Sequence, residues 1–212
     1  MDVKLVRIGI GEVEKICIRR FEKDDAQTVA DLVRKTLEIS NSKDYPPEFI
    51  KENIESHSAQ VLEDRANESH FYVAEDGDTI IGCGGIIGYW GSTTESYLVT
   101  IFVLPEYQHR GVGKQIVESL EADEYFKRAW RTEVGSSLTA VDFYRRLGYQ
   151  YKSNVTTPDE FGVVRLEKIT GEKPDETFRH KTLEERAAEF GGQLDLDGEY
   201  DWGEQMGREV WE

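Results

Sequence analysis

The fold is decided by the stretch Val103-Leu104-Pro105-Glu106-Tyr107-Gln108-His109-Arg110-Gly111-Val112-Gly113-Lys114. It overlaps the end of an apolar, β-prone run that begins at Tyr97, and it opens a segment with apolar residues at helical spacing. Glycine at 111 and 113 lets a ligand approach the backbone closely, and the first N–H groups of a helix point outward toward an anion. Arg110 and Lys114 add positive charge. The stretch therefore predicts a cradle for a phosphate-type anion between a buried strand and a helix.

Strand and helix signals alternate along the rest of the chain. The sequence predicts a strand over 15–22, helices beginning at Asp24–Asp25 and at Pro46, a hairpin over 70–89 with its turn at Asp76–Asp78, a strand over 97–104, a helix over 111–129, a strand over 131–134, a helix over 138–147, and strands near 149–151 and 163–166. The run over 97–104 is almost continuously apolar, which is typical of a strand buried on both faces. We expect it at the centre of a mixed sheet.

A second motif is Ser137-Leu138-Thr139-Ala140-Val141-Asp142-Phe143-Tyr144-Arg145-Arg146-Leu147-Gly148-Tyr149. Together with the glycine-rich stretch it resembles the GNAT superfamily of N-acyltransferases, in which this segment reads Asn-x-x-Ala-x-x-x-Tyr-x-x-x-Gly-Phe/Tyr. The motif match covers 97–149, and the other elements agree in order only. The resemblance implies the GNAT α/β fold, a twisted mixed sheet flanked by helices, over 14–170.

The same resemblance implies acetyl-coenzyme A as cosubstrate and an amine as acceptor. In GNAT enzymes the loop corresponding to 108–113 binds the pyrophosphate, and the end of the strand before it pairs through its backbone with the pantetheine amides. The implied coenzyme-binding residues are Phe102, Val103, Gln108, His109, Arg110, Gly111, Val112, Gly113, Lys114 and Ser137. Serine at 137 departs from the usual Asn, and its hydroxyl has a shorter reach.

Tyr144 is the catalytic residue that the resemblance implies, as the acid that protonates the departing thiolate. A phenol has a reference pKa of about 10, above the roughly 8.5 of a thiol. The alternative is that Tyr144 and Phe143 only pack a short helix into the core. The expected reaction is direct attack of the amine on the thioester in a ternary complex, with the N–H of Val103 stabilising the oxyanion.

No general base is identified. Many GNAT relatives carry Glu near the middle of the central strand, where this chain has Val99. Glu95 and Glu133 are the nearest carboxylates, and we interpret both as solvated or ion-paired. A water chain or a backbone carbonyl could serve instead. Two functions stay open: an acetyl-CoA-dependent N-acetyltransferase for small or protein amines, and a non-catalytic acyl-CoA-binding regulator whose C-terminal tail binds a basic partner protein.

Composition argues against nucleic-acid-binding, membrane, secreted and metal-binding proteins. A formal net charge of -16 opposes affinity for nucleic-acid phosphates. No run reaches the ~20 apolar residues of a membrane helix, and the first residues lack the apolar core of a signal peptide, so we expect a cytoplasmic protein. Two cysteines and four histidines show no metal-type spacing, so no metal is expected.

The last segment, 171–212, carries half of that net charge, with 13 acidic and 5 basic side chains. It is predicted to be a separate acidic tail. Its end, Asp201-Trp202-Gly203-Glu204-Gln205-Met206-Gly207-Arg208-Glu209-Val210-Trp211, resembles the C-terminal tail of MazE-type antitoxins. That resemblance implies a basic, MazF-like toxin as partner for 182–212, and the alternative is a solubilising tail or one that folds over its own domain. Whether the chain forms a homodimer is left open.

Overall fold

The structure is a computed structural model and describes residues 16–174. Its seven strands are β1 (Ile16–Arg20), β2 (His70–Asp76), β3 (Thr79–Gly88), β4 (Glu95–Val103), β5 (Arg131–Ser136), β6 (Gln150–Tyr151) and β7 (Val164–Ile169). The helices are α1 (Ala26–Ile39), α2 (Pro47–Glu55), α3 (Ala59–Glu68), α4 (Val112–Glu121), α5 (Glu124–Lys127) and α6 (Val141–Arg146). The antitoxin-like segment lies outside the described residues, and the boundaries 14–170 and 171–212 stay predictions.

The strands form one sheet in the order β1-β2-β3-β4-β5-β7-β6, so β4 is central as predicted. Its pairing with β5 is parallel, and the other neighbouring pairs are antiparallel. The expected mixed sheet flanked by helices is confirmed.

Each face of the sheet buries its own apolar cluster, because strand side chains alternate between faces. Along β2, Phe71 and Val73 pack with α1 and α3, whereas Ala74 packs with α4. Helix α1 presents Val29, Val33 and its other apolar residues, at helical spacing, to the cluster that contains Phe71 and Val73. Helix α4 covers the opposite face, so the end of β4 lies between two helical layers.

The predicted single helix over 111–129 is wrong, because the chain forms two helices there. Asp123 follows α4 and caps α5, since its carboxylate accepts a hydrogen bond from the Tyr125 N–H at 2.8 Å. The same carboxylate accepts hydrogen bonds from His70 and Tyr72 on β2. These tertiary contacts fix a break that the apolar period does not show. Helix α3 was not predicted.

Strands β4 and β5 pair only over part of their length. The parallel pairing runs from Glu95 opposite Arg131 to Leu98 opposite Val134. Beyond that point β4 continues against β3, and β5 continues against β7. A bulge at Thr100, with φ 53°, bends β4 where the two strands separate.

The expectation that β4 is buried on both faces is only partly met. Ser96 and Leu98 are buried, but the residues from Val99 to Val103 are partly exposed. They are exposed because the strand has lost its neighbour on one side at that point. All five residues therefore line a cleft, and Ile101, Phe102 and Val103 also pack against the core clusters.

Candidate functional site

A cavity of about 680 Å³ occupies the cleft between β4 and β5. Four parts of the fold line it: the second half of β4, the loop before α4, the segment from the end of β5 to α6, and the region of α1 and α2. Among the predicted site residues, those that line this cavity are Phe102, Val103, Gln108, His109, Gly111, Gly113, Lys114, Ser137 and Tyr144. The fold thus brings residues from both sequence motifs to one place.

The start of α4 has the properties of an anion site. Gly111 is the N-cap, with φ 87°, and no side chain caps the helix. The first N–H groups of a helix have no partner within the helix, and they carry its positive dipole end. His109 also has a left-handed backbone, with φ 61°. This is a strained conformation for a residue with a Cβ, and it turns the loop at the cavity.

Two predicted coenzyme-binding residues do not line the cavity. The side chain of Val112 is buried in the core under Gly82 on β3. Arg110 is exposed, and its guanidinium lies 5.3 Å from the centre of the Tyr107 ring. The predicted role of Val112 in binding the anion depends on its backbone N–H and not on its side chain.

Gln108 holds the end of β4. Its side-chain amide donates hydrogen bonds to the Val103 carbonyl and to Ser40 Oγ, both at 3.0 Å. The Leu104 N–H donates to Ile81 on β3. The backbone N–H groups of successive strand residues point to opposite edges of the strand. The N–H of Val103 therefore points away from β3 and into the cleft.

Tyr144 is 4% exposed, and it both packs in the core and lines the cavity. Its ring meets those of Phe143 and Tyr149 edge to face, with centroids 5.0 and 5.8 Å away. Burial raises the pKa of the Tyr144 phenol well above its ordinary value, so the hydroxyl keeps its proton at neutral pH. Ser137 directly follows β5 and begins the turn that leads to α6.

Both candidate carboxylates are ion-paired, as the sequence interpretation favoured. Glu95 accepts hydrogen bonds from Arg131. Glu133 is 1% exposed and lies 2.6 Å from Lys152 Nζ, 3.3 Å from Arg131 and 3.7 Å from Arg165. No Asp or Glu of residues 16–174 lines the large cavity.

The sequence interpretation named no site residue on the side of the cavity next to α2. The residues there are Tyr45, Phe49, Asn53 and His57, which line the cavity from in and around α2. Their spacing of four residues is the signal that could have found them, because it places side chains on one helical face. Phe49 also packs against the core cluster to which Ile50 of the same helix belongs.

His57 is held in one tautomer. Its Nδ1 lies 2.7 Å from the Asn53 carbonyl oxygen, which can only accept, so Nδ1 carries the hydrogen. Burial lowers the pKa of the His57 imidazole to about 4. The ring packs edge to face against Phe102, with centroids 5.5 Å apart. A neutral imidazole with its lone pair on Nε2 therefore stands in the cavity wall.

Comparison with known proteins agrees with this geometry. Residues 67–151 match the family model of the acetyltransferase (GNAT) domain. The PaiA N-acetyltransferase of Thermoplasma acidophilum, in complex with coenzyme A, superposes with a TM-score of 0.64 at 19% identity, over 74% of this chain and 99% of that one. A GCN5-related N-acetyltransferase of Rhodopseudomonas palustris superposes with a TM-score of 0.62 at 18% identity, over 76% of this chain and 100% of that one. The chain has the GNAT fold.

A relative in sequence is the uncharacterised N-acetyltransferase YafP of Escherichia coli (strain K12). It is 28% identical over 142 residues, which span 65% of this chain and 83% of YafP. The glycine-rich loop and the Tyr144 segment both lie within the part matched by the GNAT family model.

No helix between 16 and 174 is long and apolar enough to cross a membrane. No cluster of three or more His, Cys, Asp or Glu side chains in the same range is arranged to hold a metal ion.

Gly113→Val is expected to weaken coenzyme A binding about tenfold or more. A Cβ at Gly113 would lie 3.3 Å from Phe143 Cζ, and valine adds two methyl groups beside it. Valine at this cavity-lining position fills space that the coenzyme needs at the start of α4, and a tenfold loss of affinity is about 1.4 kcal/mol. Titration calorimetry with coenzyme A measures the change.

Gly77→Ala is the control for this substitution. Gly77 has φ 61° in the β2–β3 turn, and nothing lies within 4 Å of an added Cβ. It should lower stability through its left-handed backbone and leave coenzyme A affinity unchanged. Wild-type affinity in folded Gly113→Val would argue against the start of α4 as the binding site.

Proposed function

We propose that this protein transfers the acetyl group of acetyl-coenzyme A to an amine by direct attack in a ternary complex. The observation that carries the proposal is the separation of β4 and β5 beyond Leu98 and Val134, with the uncapped start of α4 at the end of the same cavity. An extended pantetheine arm can pair with an unpaired strand edge, and its pyrophosphate suits a helix start. Eight of the ten predicted coenzyme-binding residues line the same cavity.

The attack on the thioester and the departure of the thiolate each have a group to assist them. The amine nitrogen attacks the thioester carbon, and the N–H of Val103, which points into the cleft, stabilises the negative oxygen. The C–S bond then breaks, and the Tyr144 hydroxyl gives its proton to the sulfur. The nitrogen releases a proton as it becomes an amide, and that proton passes through water to restore the Tyr144 hydroxyl. No covalent enzyme intermediate is needed.

The proton of the attacking amine has no strong acceptor among the described lining residues. The cavity lining lacks carboxylates, and an imidazole with a pKa of about 4 is a weak base for an amine whose own pKa is near 10. His57 can accept a hydrogen bond through Nε2 and orient the amine. The amine must therefore lose its proton before it attacks, and water carries that proton away.

The test is steady-state release of coenzyme A thiol from acetyl-coenzyme A across a panel of amines and over a pH series. We expect release that depends on the amine. For a reactive acceptor, log kcat/KM should rise with a slope near one as pH increases toward the pKa of the amine, because only the neutral amine attacks.

If no thiol is released, calorimetry with coenzyme A shows whether the catalysis or the binding of coenzyme A is missing. Binding of coenzyme A without amine-dependent thiol release would favour the non-catalytic regulator over the enzyme. Folded protein that takes up no coenzyme A at millimolar concentration would overturn both.

A further inference from the structure

A second cavity, of about 460 Å³, adjoins the first. Val99 on β4 lines both cavities. The second cavity is also lined by Arg65 and Glu68 on α3, by Ser92 and Thr93 in the loop before β4, and by Arg128 after α5. Two arginines thus face a space beside the site where acetyl transfer is proposed.

Arg65 is a partly buried cation without an ion pair among residues 16–174. Its guanidinium donates a hydrogen bond to Thr100 Oγ1 at the bulge of β4. Burial lowers the pKa of the Arg65 guanidinium, so its charge is costly there. Other arginines at the sheet have carboxylate partners, such as Asp25 for Arg19 and Glu95 for Arg131. A desolvated guanidinium usually has an anionic partner.

Arg128 has no ion pair within the described range either. Its guanidinium lies over the Tyr125 ring at 4.2 Å, a cation–π contact that holds the side chain at the cavity. Glu68, the one carboxylate among the described lining residues, is exposed and pairs with neither arginine. In a chain with net charge -16, this cavity keeps two positive groups available.

We propose that the acceptor is an amine that carries an anionic oxygen group, a carboxylate or a phosphate, held by Arg65 and Arg128 in the second cavity. The amine then reaches past Val99 to the acetyl group in the first cavity. This inference about the acceptor rests on the proposed function. Arg guanidinium groups bind carboxylates and phosphates through paired hydrogen bonds. A polycationic acceptor finds no carboxylate on the described wall of the first cavity.

Thiol release with matched acceptor pairs tests the inference. β-Alanine is compared with ethylamine, and phosphoethanolamine with ethanolamine, so that each pair differs in the anionic group. The anionic member is expected to have at least tenfold higher kcat/KM. Preference for β-alanine or for phosphoethanolamine then identifies the anion as carboxylate or phosphate.

Variants connect that preference to the two arginines. Arg65→Gln is expected to raise KM for the anionic acceptor at least tenfold, with little change for its neutral partner, and Arg65→Lys should recover part of the loss. Arg128→Gln should act in the same direction. Arg34→Gln is the control, because Arg34 is an exposed α1 residue paired with Asp31.

The outcomes separate this inference from the function on which it rests. Equal kcat/KM within each pair, or equal losses for both members in Arg65→Gln, would overturn the inference and leave acetyl transfer standing. Thiol release that no amine elicits would overturn the enzyme function and this inference together.

Discussion

Glu133→Ala is expected to lower the free energy of unfolding by about 3–5 kcal/mol, the usual cost of removing one partner of a buried ion pair. Glu133 is 1% exposed on β5 and compensates the charges of Arg131, Lys152 and Arg165. Arg131 and Arg165 keep other carboxylates after the change. Lys152 loses the only ion pair that it has within residues 16–174.

Urea denaturation measures this loss, and Glu133→Gln helps to explain it. Glutamine keeps the size and part of the hydrogen bonding but not the charge, so it should cost less than alanine. Glu55→Ala, which removes an exposed pair with Lys51 at 3.9 Å, should stay within about 0.5 kcal/mol of the wild type. A loss below 1 kcal/mol for Glu133→Ala would mean that the network contributes little.

Tyr144→Phe is expected to lower turnover about 10²- to 10⁴-fold, the range of general acid catalysis. The ring contacts with Phe143 and Tyr149 are retained, and the hydroxyl has no hydrogen-bond partner among the described residues. Stability and coenzyme A affinity should therefore change little. Thiol release at saturating acetyl-coenzyme A measures turnover, and calorimetry measures the affinity.

Tyr149→Phe is the matched control for that change. Tyr149 is also a buried phenol, and its hydroxyl donates to Glu121 at 3.2 Å, but it does not line the cavity. Removing the Tyr149 hydroxyl should leave turnover unchanged. If Tyr144→Phe kept wild-type turnover at every pH, the core-packing interpretation of Tyr144 would account for the residue.

Local patterns were enough for most of the architecture. The apolar run that became β4, the turn between β2 and β3, and the glycine-rich start of α4 depend on the period and backbone freedom of neighbouring residues. The sequence interpretation therefore located the sheet centre, and most of the predicted coenzyme-binding residues lie in one loop. It failed at Asp123, where contacts with distant residues on β2 fix a helix break.

The sequence by itself determined that a strand, a glycine-rich loop and a helix follow one another, because those choices depend on residues close along the chain. The tertiary structure alone decided that β4 and β5 part at Leu98, that Glu133 is surrounded by cations, and that Arg65 faces a cavity beside the cleft. These features join residues far apart in sequence, and their energies come from burial and charge pairing in three dimensions. No local pattern encodes which charges meet or which remain available for a substrate.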